Sequence, residues 1–315
     1  GWWGPELKLA GYDGLLLEGA SPDWVYILIQ DDQIEFLDAK DFVGKTTGEV
    51  DAVLRESHGR KARVLQIGPA GENGVLYSML TNDMKHFAGR GGLGAVMGSK
   101  RVRAIVVISS ERSLPVADSE ALRAHARWFS KSIKEHPALS LHHELGTMKG
   151  VIGLNEQGLL PTYNYLDGSF PQAEAISGER MQAELGAGTH TCFSCAVACK
   201  RVVEGTNGKF EVHKEYGGPE YETLATIGPL LGVDDIYAIC RTNELCNAYG
   251  LDTISTGVTL AWATECFDRG LLNEDDTGGI RLAWNDPETH HELVRMIAQK
   301  EGFGALLAQG SYRAA

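Results

Sequence analysis

The sequence predicts an α+β protein in which a β-rich first segment is followed by a mainly α-helical one. Across residues 12–39, short runs of β-branched and aromatic residues alternate with Gly, Pro and Asp, a pattern typical of strands and turns. After Pro115 the pattern changes, and apolar residues recur at helical spacing. We therefore predict a β-rich domain over residues 1–115 and a helical domain over residues 116–315.

The first segment is predicted to contain five strands and one helix. The strands are expected at 12–19, 24–32, 33–39, 63–68 and 101–110. Asp32 and Gln33 form the corner between the second and third of them, which predicts a hairpin. The helix is expected at about 47–57.

The second segment is predicted to be helical. Leu122, Ala126, Phe129 and Ile133 recur on one face of a helix over 119–135, which Asp118 or Ser119 can cap. Further helices are expected at 178–186, 235–249, 255–270 and 287–301. Residues 146–175 contain glycine and proline and are predicted to form a long loop on the substrate side.

The overall composition limits the class of protein. The 315 residues are 43% hydrophobic, enough for about two cores, and the formal charge is −13, which argues against a nucleic acid or an anionic membrane as partner. The apolar runs are too short for a membrane span, and no signal peptide is recognised. The few, clustered cysteines favour a reducing compartment, so we expect the cytoplasm.

Because the chain opens on Gly1, Trp2 and Trp3, we expect an internal part of a longer protein.

Three of the six cysteines lie within eight residues. They are Cys192, Cys195 and Cys199. Thiolates favour zinc, copper(I) or iron–sulfur clusters, and three ligands from one loop are common for a cubane cluster. Zinc sites usually have two pairs of closely spaced ligands, such as C-x2-C followed by a second C-x2-C or by H-x3-5-H, and no second pair follows here. An iron–sulfur cluster is therefore favoured, with zinc or a structural cluster as alternatives. The other cysteines lie on predicted helices and are interpreted as small buried residues.

A glycine-rich loop reads FAGRGGLGAVMGSK at 87–100. It matches G-x-G-x-x-G, but the residues before it are polar and irregular, and only about two helical turns follow, so a dinucleotide fingerprint is rejected. The glycines would still let the backbone approach an anion, and Arg90, Lys100 and Arg101 suit phosphate. We interpret the loop as holding a phosphate-bearing cofactor other than NAD, with a tight chain crossing as the alternative.

Four segments in this order give the chain a resemblance to a known family. They are GPELKLAGYDG at 4–14, AGRGGLGAVMGSKRVRAI at 88–105, TCFSCAVAC at 191–199, and GPEYETLATIGPLLGVDD at 218–235 with NAYGLDTISTGVTLAW at 247–262. Across essentially its whole length, the chain resembles the tungsten-containing aldehyde:ferredoxin oxidoreductase family. The resemblance implies a tungsten (or molybdenum) bis-pterin, with magnesium as a further candidate bridging its phosphates, and a 4Fe-4S cluster that passes electrons to ferredoxin.

The resemblance also implies roles for particular residues. The three clustered cysteines match three of the four cluster ligands. The pterin-phosphate cradle corresponds to Gly89, Arg90, Gly91, Gly92 and Gly94. The family's pterin motif D-x-x-G-L-D corresponds to Asn247, Gly250, Leu251 and Asp252, with Asn in place of the leading Asp. Asp252 can also be interpreted as a helix N-cap.

Two carboxylates in GPEYET, Glu220 and Glu222, are the candidate catalytic groups. Water attack on a carbonyl needs a base, and burial would raise the pKa of such a carboxylate towards neutrality. One of the two is expected to serve only in a cap or salt bridge, and Glu222 is slightly preferred as the base.

The chain also departs from the family pattern. The fourth cluster ligand and the active-site histidine of the family have no match here, and Arg241 to Glu244 stand where some dimeric members bind an intersubunit metal, so that metal is not expected. The adjacent histidines at 142–143 and 290–291 are predicted to be solvated surface residues.

The resulting prediction is an enzyme that oxidises aldehydes to carboxylic acids and passes electrons to ferredoxin or an electron-transfer subunit, with oligomerisation left open. One alternative is the active-site subunit of an aromatic acyl-CoA reductase of the benzoyl-CoA type. The other is a non-catalytic module that binds a cluster or zinc.

Overall fold

The computed structural model describes residues 1–315, apart from the side chain of Lys134. A six-stranded sheet with short flanking helices occupies the first third of the chain, and most of the rest is helical. The predicted α+β class is therefore confirmed.

The sheet is mixed, with one parallel strand pair. Its strands are β1 (Val25–Gln30), β2 (Gln33–Asp38), β3 (Arg63–Gln66), β4 (Leu80–Asn82), β5 (His86–Ala88) and β6 (Val102–Ile108). They are arranged in the order β2-β1-β6-β3-β4-β5, and β6 is parallel to β1 but antiparallel to β3. Because β6 is central and apolar, it is buried almost throughout.

Short helices cover both faces of this sheet. They are α1 (Trp3–Leu9), α2 (Thr47–His58), α3 (Pro69–Glu72) and α4 (Leu93–Ser99). On one face Val50 and Leu54 of α2 pack on Val106, and on the other Leu7 and Met97 belong to the cluster that contains Val107. The alternating residues of β6 thus contribute to two separate cores.

In the rest of the chain the regular structure is mainly α-helical, with short 3₁₀ segments and two small hairpins. The helices are α5 (Ser119–Glu135), α6 (Pro137–Leu145), α7 (Val151–Glu156), α8 (Gly178–Leu185), α9 (Tyr221–Ile227), α10 (Ile236–Tyr249), α11 (Thr253–Asp268), α12 (Glu274–Thr277), α13 (Pro287–Gln299), α14 (Gly302–Leu307) and α15 (Ser311–Ala314). The hairpins pair β7 (Gly186–His190) with β8 (Lys200–Val203), and β9 (Gly205–Thr206) with β10 (Glu211–Val212).

The sheet region and the helical region share one hydrophobic core. Tyr77 belongs to the same buried cluster as residues of α9, α10, α11 and α13. The backbone N–H of Met79 donates to Gly250 O at 2.8 Å, and that of Asp252 donates to Tyr77 O at 3.1 Å. The turn between α10 and α11 is therefore fixed against the segment that leads into the glycine-rich loop. The predicted boundary near residue 115 stays a prediction.

Several predictions about elements were wrong. Residues 12–19 form no strand, and Leu16 at their centre is 85% exposed. The residues before the glycine-rich loop are not irregular, because β4 and β5 form a short hairpin there. Residues 146–175 are not a continuous loop, since they contain α7 and two 3₁₀ segments. His290 is buried rather than solvated, at 2% exposure.

The helix α5 is present where it was predicted, and Asp118 caps it by accepting hydrogen bonds from two backbone N–H groups. Its apolar face is only partly covered, since Ile133 is buried whereas Leu122 and Phe129 are exposed. Over the described residues, no single helix meets the length and hydropathy needed to cross a membrane; one strongly bent pair, Tyr221–Leu231 with Ile236–Tyr249, meets them only when its halves are combined.

Candidate functional site

The three clustered cysteines lie on a loop that a hairpin closes. β7 and β8 pair with His190 opposite Lys200, so residues 191–199 must turn back on themselves. Ser194 and Ala198 adopt left-handed backbone conformations, which tighten this loop. The Thr191 hydroxyl donates to Cys195 O at 2.6 Å, and this hydrogen bond joins the start of the loop to its middle.

The cysteine thiols border a cavity of about 340 Å³, here named the cysteine cavity. Its lining residues are Gly1, Lys85, His86, Phe87, His190, Cys192, Cys195, Ala198, Cys199, Lys200 and Glu220. All three cysteines are free. Within the described side chains, no group of three His, Cys, Asp or Glu converges as ligands of a single metal ion would. Three thiols from one loop that line the same cavity are soft donors, and such donors suit a thiophilic metal or an iron–sulfur cluster.

A second cavity of about 400 Å³ lies where the glycine-rich loop faces α9, α10 and α11; we name it the loop cavity. Its lining residues are Met79, Phe87, Gly89, Arg90, Lys200, Glu220, Glu222, Thr223, Asn243, Asn247, Asp252, Thr253 and Ile254. It brings together the predicted loop, pterin-motif and glutamate residues from three distant parts of the chain. Arg90 also borders a further cavity of about 480 Å³ near α15.

The glycines of the loop serve two purposes. A side chain on Gly92, whose φ is +70°, would place its Cβ 2.3 Å from Leu76 O, and one on Gly94 would place it 2.8 Å from Met79 O, so both are required for packing. Gly89 and Gly91 face open space. In the described structure the backbone N–H groups of residues 90–92 donate to no other backbone group. Those N–H groups are free to bind an anionic ligand.

The loop is also not a dinucleotide site on topological grounds. Although α4 does follow β5, the next strand, β6, lies three places from β5 in the sheet, separated by β3 and β4. A dinucleotide unit requires the two strands to be parallel neighbours of one βαβ unit.

The residues of the predicted pterin motif divide into lining and framework residues. Asp252 is buried and caps α11, accepting from Ile254 N at 3.1 Å and Ser255 Oγ at 2.6 Å, and Arg90 Nη1 lies 3.7 Å from its carboxylate. Asn247 is buried, and its amide donates to Tyr216 O at 3.1 Å. Gly250 instead ends α10 with φ +80°, and Leu251 is fully buried in the core. Asn247 and Asp252 are the two members of the motif that line the cavity.

The two candidate glutamates have different surroundings. Glu220 accepts hydrogen bonds from Thr147 Oγ1 at 2.6 Å and Lys200 Nζ at 3.3 Å. Burial alone would raise the pKa of Glu220, but the Lys200 ammonium and the Thr147 hydroxyl outweigh it and hold the pKa below its usual value. The expected rise in pKa is therefore wrong for Glu220. Glu222 is exposed to the cavity, and its carboxylate accepts no hydrogen bond from the described side chains.

The two cavities share a wall formed by Phe87, Lys200 and Glu220. Lys200 is 7% exposed, donates to Gly218 O at 2.9 Å, and lies 5.5 Å from the centre of the Phe87 ring. Sequence reasoning missed Lys200 and Phe87, although Lys200 directly follows Cys199 and Phe87 directly precedes the glycine-rich loop. Their position next to two recognised motifs was the available signal.

Two histidines also border the cysteine cavity and were missed. Burial lowers the pKa of His86 to about 4, and the nearby His190 and Lys200 charges act in the same direction. Burial raises the pKa of the Cys199 thiol, and the negative charges of Glu220 and Cys195 raise this pKa further. A thiolate at Cys199 therefore needs a metal or another positive group to stabilise it.

Two family models together match almost all of the chain. The model described as aldehyde ferredoxin oxidoreductase, N-terminal domain, matches residues 1–109, and the one described as domains 2 and 3 of the same enzyme matches residues 124–315. The chain is also similar to a tungsten-containing aldehyde ferredoxin oxidoreductase of Pyrococcus furiosus, at 39% identity over 100% of this chain and 52% of that protein. It is 31% identical to the aliphatic sulfonate oxidoreductase, WOR-like subunit, of the same organism, over 99% of this chain and 51% of that one.

A solved structure is similar as well. The active-site complex of benzoyl coenzyme A reductase, determined with 1,5-dienoyl-CoA, matches with a TM-score of 0.80 at 27% identity, over 99% of this chain and 48% of that one. The chain thus spans about half the length of the curated relatives and of the solved structure that it matches.

Proposed function

The chain belongs to the aldehyde ferredoxin oxidoreductase family, and on that premise we propose that it forms the cofactor-binding part of an enzyme that oxidises aldehydes to carboxylic acids. The overall reaction converts an aldehyde and one water into a carboxylic acid, two protons and two electrons. The electrons leave for ferredoxin or an electron-transfer subunit.

The observation that supports this proposal most is the shared wall between the cysteine cavity and the loop cavity. An oxidoreductase of this kind needs a site of two-electron chemistry beside a site of single-electron transfer. Phe87, Lys200 and Glu220 each line both cavities, so the two cavities are neighbours. A structural zinc or cluster module has no need of the second cavity.

The residues of each cavity fit the cofactors that the family implies. Cys192, Cys195 and Cys199 would bind three irons of a 4Fe-4S cluster. The free N–H groups after Gly89, with the Arg90 guanidinium, would hold a pterin phosphate. The buried Asp252 carboxylate would accept hydrogen bonds from a pterin ring, and the Asn247 amide could accept or donate them. That Arg90 also borders the cavity near α15 supports a cofactor larger than one pterin. A bound tungsten pterin supplies the electron acceptor for the aldehyde.

The protein's own part in the chemistry is to bind the aldehyde and move its protons. Glu222 is the free carboxylate in the loop cavity, and we assign it as the base that takes a proton from the attacking water. Glu220 is bound by Lys200 and Thr147, so we assign it to the wall between the cavities rather than to proton transfer. The Lys200 ammonium neutralises the Glu220 carboxylate. This carboxylate lies between the loop cavity and the cysteine cavity, which would both carry charge once their cofactors are bound.

Metal analysis of the full-length protein, purified without oxygen, tests the proposal. We expect tungsten or molybdenum with about four irons per chain, and aldehyde-dependent reduction of a ferredoxin. Cys195→Ala should lose the iron–sulfur spectrum, while the control Cys266→Ala, on α11 outside both cavities, should keep it. Zinc as the only metal would contradict the proposal. Inactivity towards aldehydes, with reduction of an aromatic acyl-CoA, would move the assignment to the benzoyl-CoA reductase type.

A further inference from the structure

Two histidines form a hydrogen-bonded pair at the edge of the cysteine cavity. His86 lies on β5 and His190 ends β7, so the fold brings together residues 104 positions apart. His86 Nε2 lies 3.0 Å from His190 Nδ1, and the ring centres are 5.1 Å apart with the planes inclined by 48°. This is a direct hydrogen bond between the two imidazoles.

The remaining ring nitrogen of His86 faces a cysteine. His86 Nδ1 lies 3.7 Å from Cys192 Sγ. Sulfur is a large, weak acceptor, and this separation is that of an N–H···S hydrogen bond. Both histidines are half-buried and line the cysteine cavity together with Cys192, whose own side chain is exposed.

Counting protons fixes the direction of the chain of hydrogen bonds. A thiolate that binds iron can only accept, so His86 must carry its proton on Nδ1. A neutral His86 is then an acceptor at Nε2, and His190 must donate from its Nδ1. The two N–H protons of this hydrogen-bond chain therefore lie on His86 Nδ1 and His190 Nδ1, because the Cys192 thiolate can only accept.

Resting on the proposed function, we propose that His190 and His86 act as positioning residues that deliver one N–H hydrogen bond to the Cys192 sulfur and thereby raise the reduction potential of the cluster. Reduction adds negative charge that is shared with the ligand sulfurs. A donor aimed at a sulfur stabilises the reduced state more than the oxidised one, and such bonds are among the features that set cluster potentials. His86 directly precedes Phe87, which lines both the cysteine cavity and the loop cavity.

Potentiometric titration of the full-length protein, followed by the electron paramagnetic resonance of the reduced cluster, tests the proposal. His86→Phe removes the donor and should make the cluster about tenfold harder to reduce, a potential lower by about 59 mV for a one-electron couple. His86→Asn keeps an amide donor near the position of Nδ1 and should restore most of the potential. His190→Phe should shift the potential less, in the same direction, and the double variant should match His86→Phe alone.

His58→Phe is the matched control. His58 is also half-buried and hydrogen-bonded, to Tyr26 at 3.1 Å, but it lies at the end of α2 outside the cysteine cavity. It should leave the potential unchanged. A potential in His86→Phe equal to that of the control would overturn the proposal.

Labelling histidine nitrogen with ¹⁵N gives a test in the unsubstituted protein. A weak ¹⁵N hyperfine coupling that disappears in His86→Asn is expected for an N–H···S bond. No coupling, or the strong coupling of a nitrogen bound directly to iron, would each overturn the proposal. Absence of any cluster signal from the unsubstituted protein would instead contradict the proposed function, so the two failures are distinguishable.

Discussion

At the scale of single residues, the two neighbouring glutamates show how surroundings assign roles. Glu220 and Glu222 are separated by one residue, Tyr221, in GPEYET and line the same cavity. Lys200 and Thr147 hold the Glu220 carboxylate and lower its pKa, which makes it a poor base at neutral pH. Glu222 has no such partner, so the weak sequence preference for it acquires a physical reason.

Glu222→Gln should therefore lower kcat for aldehyde oxidation by about 10²–10⁴-fold with KM little changed, because the base is lost while the cavity keeps its shape. Glu220→Gln is the matched comparison, and it should lower kcat by less than about tenfold while lowering stability, since it leaves the Lys200 ammonium without its counter-charge. Steady-state kinetics with a viologen acceptor measures both variants. Full activity in Glu222→Gln would exclude it as the base.

The site residues that sequence reasoning found are those whose motif is local. The cysteine spacing predicted one loop, and the hairpin of β7 and β8 closes that loop. Asp252 was open to two interpretations: its role as the cap of α11 is confirmed, and its role in binding a pterin stays a prediction, although Asp252 does line the loop cavity. Lys200 and His86 were missed because their partners are distant in sequence, and no local pattern encodes such a pairing.

At the scale of elements, periodicity predicted long helices well and short extended segments poorly. α8, α10, α11 and α13 begin and end within two residues of their predicted bounds, because each has a capping residue and several turns of consistent spacing. Residues 12–19 have the apolar composition of a strand, but Leu15 and Leu17 pack on the sheet without a ladder partner. Strands as short as β4 and β5 depend on tertiary pairing that composition does not reveal.

The glycine-rich loop gives a prediction at this scale. A non-glycine residue in a left-handed backbone conformation costs about 1–2 kcal/mol of stability. Gly92→Ala should lower the free energy of unfolding by more than this, because the added Cβ would also lie 2.3 Å from Leu76 O. Gly74→Ala is the control, since its φ of +68° is nearly the same but no atom lies within 4 Å of the added Cβ. Urea unfolding compares the two. Equal losses would mean that the loop shifts freely, and that its close packing is not what holds Gly89 and Arg90 at the cavity.

At the scale of the whole molecule, the cavities exist only where the sheet region and the helical region meet. The loop cavity takes Gly89 and Arg90 from one region and Asn247 and Asp252 from the other. Tyr77 joins them, since it is 7% exposed, lies in the core of the helical region, and donates its hydroxyl to Leu307 O at 3.0 Å. Two domains predicted from composition therefore need not unfold separately.

We accordingly expect the predicted segments 1–115 and 116–315 to unfold in one transition. Tyr77→Phe removes a buried hydrogen bond and should lower the free energy of unfolding by about 0.5–1.5 kcal/mol, and Tyr77→Ala by about 3–5 kcal/mol. Because Tyr77 belongs to both regions, hydrogen exchange of β6 and of α10 should accelerate together in each variant. Tyr26→Phe, which removes a hydroxyl bonded to His58 within the sheet region alone, is the control for the size of one such bond. If β6 stayed protected while α10 opened in Tyr77→Ala, the two regions would be separate folding units, and the site would depend on their docking rather than on a common core.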